Sequence, residues 1–176
     1  AKFYHENLSS VHGEKALSYL YDRGIDKNTL EQFKIGFARD SWNTLLNYVK
    51  KKGYAKEAID KSGLFVQSEK GSYDRFRNRI IFPIYNVSGK IIAFGGRTID
   101  IKDSVKYLNS PETLLYKKGE NFYGLHVARQ PIRKTESVII VEGYMDFLQL
   151  FQSGIQNVIT LSGTALTEKH AKMIQK

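Results

Sequence analysis

The stretch Ser137-Val138-Ile139-Ile140-Val141, together with the residues after it, constrains the chain more than any other segment. A short apolar run of this kind predicts a strand buried on both faces of a sheet. Next comes a helix over Tyr144 to Gln152, with Met145, Phe147, Leu148 and Phe151 apolar and Gly154 to end it. Val158-Ile159-Thr160-Leu161 predicts a second strand, and Thr167 can cap a last helix. Strand, helix, strand, helix in that order requires a parallel sheet built through a right-handed crossover.

The residues before this module have another character. Positions 1 to about 63 read as short helices. Ala16, Leu17, Leu20 and Tyr21 recur at helical spacing before Gly24, and Asp26 can cap a second helix through Leu30 and Phe33. Ser41 can cap a third that carries Trp42, Leu45, Leu46 and Val49 and ends at Lys50-Lys51-Lys52-Gly53, lysines that suit a helix C-terminus. From Leu64 the pattern becomes strands. Leu64-Phe65-Val66 precedes the turn Glu69-Lys70-Gly71-Ser72, and Ile80–Tyr85 and Lys90–Phe94 flank a hairpin loop at Asn86-Val87-Ser88-Gly89. Pro83 belongs at an edge or bulge because it has no N–H for a ladder. Residues 95 to 124 read as irregular surface backbone. The whole is an α+β subdomain followed by α/β units.

An apolar share of 41% and a charged share of 26% exclude a disordered chain, and no apolar run is long enough to span a bilayer. With no cysteine, neither disulfides nor thiolate zinc sites are available, and His5, His12, His126 and His170 are scattered singly. A cytoplasmic setting is the simplest expectation. The formal charge of +9 attracts polyanions, nucleic acid first. Between Tyr73 and Glu120 nine basic residues stand against five acids, so the stretch before the parallel module is itself basic.

Chemistry concentrates at Val141-Glu142-Gly143-Tyr144-Met145-Asp146. Glu142 directly follows the apolar strand, where an open parallel sheet presents side chains to a ligand crevice. Asp146 falls in the first helical turn and can face the same side. Two carboxylates at one sheet edge suit a hard divalent ion with the rest of its shell left to water and phosphate. Both acids equally favour a helix N-terminus electrostatically. Leu161-Ser162-Gly163-Thr164-Ala165 fits a phosphate at a helix N-terminus or a plain turn.

Glu142-Gly143-Tyr144-Met145-Asp146 after a strand resembles the first signature of a TOPRIM module. Four further stretches resemble the bacterial DnaG-type replicative primases: Tyr73-Asp74-Arg75-Phe76-Arg77-Asn78-Arg79, Phe94-Gly95-Gly96-Arg97, Lys106-Tyr107-Leu108-Asn109-Ser110-Pro111-Glu112-Thr113, and Lys118-Gly119 leading to Leu125. The likeness runs in order from about Phe3 to Lys176. It implies a basic α+β subdomain over 1–124 and, over 125–176, the first two βα units of a TOPRIM-like parallel sheet.

The activity so implied is synthesis of RNA primers from nucleoside triphosphates on a single-stranded DNA template during replication, with an RNA–DNA hybrid as product. Glu142 and Asp146 become the metal-dependent catalytic pair for Mg2+ or Mn2+, with Glu142 open to the role of ligand, base or both. Arg97, Lys106, Lys118, Asn109 and Arg23 become contacts to template and nucleotide, joined by Arg75 and Arg77. Arginine forks match phosphate oxygens bidentately while lysine supplies point charge, and glycines before Arg97 allow close approach of backbone to a ligand. Arg75, Arg77 and Arg79 also fit one solvated strand face, and Tyr107 and Tyr123 fit either base stacking or the core.

In the family a further strand carries an Asp-x-Asp pair that supplies most of the metal binding, and separate domains hold zinc and bind the replicative helicase. Single-strand-binding protein is another partner of the full-length protein, and none is a membrane. The 176 residues alone are therefore expected to bind single-stranded DNA weakly and polymerise almost nothing. Two other classes remain open: a TOPRIM nuclease or topoisomerase, although none of the eleven tyrosines stands out as a nucleophile, and a non-catalytic single-stranded DNA-binding module.

Overall fold

The computed structural model describes residues 1–69, 71–161, 163 and 165–174. The first part runs α1 (Lys2–Leu8), α2 (Glu14–Asp22), α3 (Lys27–Gln32), β1 (Gly36–Ala38), α4 (Thr44–Lys51), α5 (Lys56–Lys61), β2 (Phe65–Ser68), β3 (Gly71–Asp74), β4 (Arg79–Tyr85), β5 (Ile91–Thr98) and β6 (Tyr107–Asn109). It continues with α6 (Leu125–Thr135), β7 (Ile139–Val141), α7 (Tyr144–Gln152), β8 (Val158–Thr160) and α8 (Glu168–Ile174).

An antiparallel sheet in the order β1-β4-β5-β6 forms the centre, and β2 and β3 make a separate hairpin. β4 is buried at every position because both its faces are covered. Ile80, Phe82 and Ile84 point to a core shared with Leu20, Phe33, Tyr123, Phe147 and Val158, while Ile81 points to a second core with Tyr4, Leu45, Ile59 and Phe65. This period-2 division is what a strand inside a sandwich of helices requires. Pro83 lies where β1 no longer pairs with β4 and just before the irregularity at Ile84 and Tyr85, so its missing N–H disrupts no ladder there.

The first core runs across residues 124 and 125 without a break. Phe33 packs edge-on to Phe147 at 5.3 Å and Phe151 at 5.1 Å, and Tyr123 packs edge-on to Phe147 at 5.0 Å. Outside the rings, Gln149 donates to the Arg23 carbonyl at 2.7 Å and Gln152 to that of Gly24 at 2.5 Å. Gly124 holds φ of +86°, and a Cβ there would lie 2.1 Å from the Phe147 ring, so only glycine permits this closure.

β7 and β8 pair in parallel, with α7 as the crossover, as the alternation requires. Asp26 caps α3 through a 2.7 Å bond from the Thr29 amide, and Thr167 Oγ1 accepts from the His170 amide at 3.2 Å.

Four expectations are corrected. β7 is not buried on both faces: Ile139 and Ile140 are 40% and 38% exposed, since among the described residues β7 has one strand neighbour. Residues 95 to 124 are not wholly irregular, because β5 continues through Thr98 and β6 adds a pairing partner. A strand, β1, lies within the stretch assigned to helices. Ser41 does not cap the third helix, which starts at Thr44; its cap is the Asp74 carboxylate, accepting from the amides of Leu45 at 2.7 Å and Leu46 at 2.9 Å. Of the turn at residues 69–72, Lys70 lies outside the described residues.

Candidate nucleic-acid and metal cleft

A crossover from β7 through α7 to β8 leaves the carboxyl ends of both strands at one rim. Glu142 follows β7 there, is exposed, and has no hydrogen-bond or ionic partner among the described residues. Asp146 sits one turn into α7 and accepts from the Gly143 amide at 3.1 Å, so one of its oxygens closes the start of the helix. Helix capping and ligand binding therefore compete for the same carboxylate.

The cleft at this rim gathers a group of cations. It has a volume of about 740 Å³ and is lined by Arg23, Arg97, Lys106 and Tyr107 together with Glu142, Asp146 and Gln149. Each cation has a structural reason to be there. Arg23 ends α2 and is held to α7 through its carbonyl. Arg97 projects from β5, only 8% exposed, with its guanidinium 5.4 Å from the Tyr19 ring and 5.2 Å from the Tyr107 ring, and it donates to the Tyr107 hydroxyl. Lys106 leads into β6, its carbonyl accepting from the Thr98 amide at 3.1 Å. Burial pushes the Tyr107 phenol up, against the pull of Arg97.

Asn109 adjoins the same rim: it accepts from the Tyr144 hydroxyl at 2.8 Å and shares a side pocket with Glu142 and Gly163. Leu161, Gly163 and Ala165 border the main cleft, while Ser162 and Thr164 lie outside the described residues.

Gly95 and Gly96 serve a different purpose from the one expected. A Cβ on Gly95 would lie 2.5 Å from the Tyr144 ring, and one on Gly96 would lie 2.8 Å from Phe76. The glycines admit aromatic side chains, not a ligand.

Three nominated cations lie elsewhere. Lys118 opens a 3-10 turn, where its amide donates to Glu112 at 3.1 Å, and it does not line the cleft. Arg77 lies 4.0 Å over the Trp42 ring and donates to the Asp74 carbonyl at 2.6 Å. Arg75 is partly buried, its Nε has no hydrogen-bond partner among the described residues, and burial holds its guanidinium below the usual range. Neither arginine borders the cleft. Arg79 is structural: its buried guanidinium pairs with Asp103 at 2.5 Å and donates to the Val105 carbonyl at 2.7 Å. Tyr123 is wholly core, and Tyr107 is at the cleft.

Sequence reasoning passed over Tyr19 and Gln149, and it placed Trp42 in a helix that in fact starts at Thr44. Trp42 is 58% exposed beneath Arg77, a cation on an aromatic face, and its only signal was a lone tryptophan near basic residues.

Among the described residues no three His, Cys, Asp or Glu side chains cluster as a metal site. Glu142 and the second Asp146 oxygen are hard donors of the right kind for Mg2+ or Mn2+, and they fit part of a shell that takes roughly six oxygens. No helix among the described residues is long and apolar enough to cross a membrane.

A basic α+β subdomain joined through one core to a parallel sheet with acids at its rim defines the class of Toprim-bearing catalytic cores. The family model described as DNA primase catalytic core, N-terminal domain, matches residues 3–129, and that of the Toprim domain matches 136–176. The chain belongs to the DNA primase catalytic core family. It is 47% identical to the DNA primase of Clostridium acetobutylicum over the whole chain and 42% to that of Listeria monocytogenes, spanning 29% and 28% of those proteins. The RNA polymerase domain of Mycobacterium tuberculosis primase DnaG, solved with a double-stranded DNA oligomer bearing a 6-nucleotide overhang, superimposes with a TM-score of 0.93 at 34% identity. That match covers 98% of this chain and 55% of the other. A DnaG primase catalytic domain bound to single-stranded DNA matches with a TM-score of 0.88 at 38% identity, covering 98% and 54%.

Proposed function

We propose that this chain is the template- and nucleotide-binding part of an enzyme that makes RNA primers on single-stranded DNA, with 1–124 as its basic subdomain and 125–176 as the first part of its Toprim subdomain. One observation carries the reading: Glu142 and Asp146 line a single cleft together with Arg23, Arg97 and Lys106. Phosphoryl transfer needs the reacting groups positioned and their negative charge neutralised. Arg97 and Lys106 suit the phosphates of an incoming nucleoside triphosphate, and Arg23 extends the cationic bank along α2. Asn109 offers a polar contact beside Glu142. Arg75, Arg77 and exposed Trp42 suit a template strand outside the cleft, where ring and guanidinium can stack on bases. Lys118 supplies charge near α8.

Glu142 and Asp146 would hold Mg2+ or Mn2+, which when bound would neutralise charge on the transferring phosphate. Glu142 is the stronger ligand candidate, because Asp146 is shared with the Gly143 amide. Replicative helicase and single-strand-binding protein would reach the site through the longer protein, in the cytoplasmic replisome.

In the full-length protein, Glu142→Gln should lower primer synthesis at least about a hundredfold while leaving single-stranded DNA affinity within about twofold. A silent Glu142→Gln would make this chain a DNA-binding module, with the catalysis carried elsewhere in the full-length protein.

A further inference from the structure

We infer that Tyr19 is a positioning residue that holds two guanidiniums, those of Arg23 and Arg97, in register for a polyphosphate. The inference rests on the cleft binding nucleotide phosphates, as proposed above. The Tyr19 ring lies 5.4 Å from the Arg23 guanidinium and 5.4 Å from that of Arg97, and the Tyr107 ring lies 5.2 Å from Arg97. Cation and ring thus alternate as Arg23, Tyr19, Arg97, Tyr107. Tyr19 itself is half-buried on α2 and packs against the first core, so its ring is anchored where the exposed Arg23 is not.

What faces each arginine matters to what it can bind. Arg79 spends its charge on Asp103. Arg23 and Arg97, among the described residues, pair with no carboxylate. A π face attracts a guanidinium without neutralising it, and it leaves edge N–H donors for other partners, of which Arg97 gives one to the Tyr107 hydroxyl. Two like charges brought to one ring repel unless an anion lies between or beside them, so the arrangement favours a ligand with several negative oxygens over a single carboxylate. The Tyr19 hydroxyl makes no hydrogen bond among the described residues, which puts the role in the ring alone.

The test uses the full-length primase, with inorganic triphosphate and ATP as calorimetric probes. Tyr19→Leu should weaken triphosphate binding roughly fivefold to tenfold, from the loss of two cation–π contacts. KM for nucleotide should rise by the same factor, with kcat within about twofold, and Tyr19→Phe should match the parent. The Nε–Hε NMR signals of Arg23 and Arg97 should carry a ring-current shift that survives in Tyr19→Phe and disappears in Tyr19→Leu. If Tyr19→Leu fails to fold, Tyr19→pentafluorophenylalanine keeps the shape and reverses the ring's charge pattern, and it should show the same loss.

If Tyr19→Leu (or, should it not fold, the fluorinated variant) leaves triphosphate affinity and KM unchanged while Arg97→Leu weakens both, the positioning role is overturned and the cleft reading stands. If Arg97→Leu is silent as well, the cleft reading fails with it. A fall in kcat alone, with affinity intact, also overturns the role.

Discussion

At the scale of single residues, environment separates side chains that composition treats alike. The Arg79 guanidinium is enclosed and matched by Asp103, so Asp103→Ala should strand a buried charge and destabilise the fold by about 3 kcal/mol, measured by denaturant unfolding. The same truncation at Glu142, which has no partner among the described residues, should leave stability within about 0.5 kcal/mol. His126 is the clearest pH-sensitive group. It stacks on Tyr85 at 4.3 Å, and burial pushes its pKa down to about 4 from the ordinary 6.5. The folded state therefore disfavours the charged ring. Stability from the neutral form is complete above about pH 6.5 and is lost as pH falls toward 4. His126→Phe, which keeps the stack, should flatten the melting temperature over that window relative to the parent.

Among secondary-structure elements, long-range contacts decide what local pattern leaves open. The cap of α4 comes from Asp74, 29 positions beyond Leu45, so a reading that looked for a serine or threonine next to the helix chose Ser41. Asp74→Ala should cost about 2 kcal/mol and speed amide exchange in the first turn of α4, because two buried amides lose their acceptor. Glycine carries the same ambiguity. Gly95 and Gly96 are legible as close-approach positions, but only the packed fold reveals that Tyr144 and Phe76 are what approach. Gly124→Ala meets both a positive φ and the Phe147 ring, and it should destabilise by at least about 2 kcal/mol. The strand-helix-strand crossover was legible because its apolar runs are uninterrupted. The exposure of β7 was not, because burial depends on neighbours outside the run.

Across the whole molecule, charge placement and a shared core set the behaviour. Motif order singles out Glu142, Asp146, Arg97 and Lys106, and the fold brings them to one cleft with Arg23. It does not single out Tyr19, since an aromatic on a helix face reads as core until the cations beside it are seen. If Arg75 and Arg77 meet template-strand phosphates, the slope of log affinity against log salt should approach roughly −1.4, and Arg77→Ala should reduce it by about 0.7. Filter binding across a salt series measures both. Because one core crosses 124 and 125, heating should give a single calorimetric transition, with no separate melting of the Toprim part.

The Tyr144 ring rests on Gly95, and its hydroxyl reaches Asn109. Tyr144 starts the helix next to Glu142, while Gly95 lies two residues before Arg97 on β5. This bolt sets the gauge between the two banks of the cleft before any ligand arrives. A visitor of the right width gains attraction without waiting for walls to close, and one that is too wide must go elsewhere. Adjustment to different bases would then fall to the exposed lysine and to whatever chain lies beyond the rim, not to the span itself.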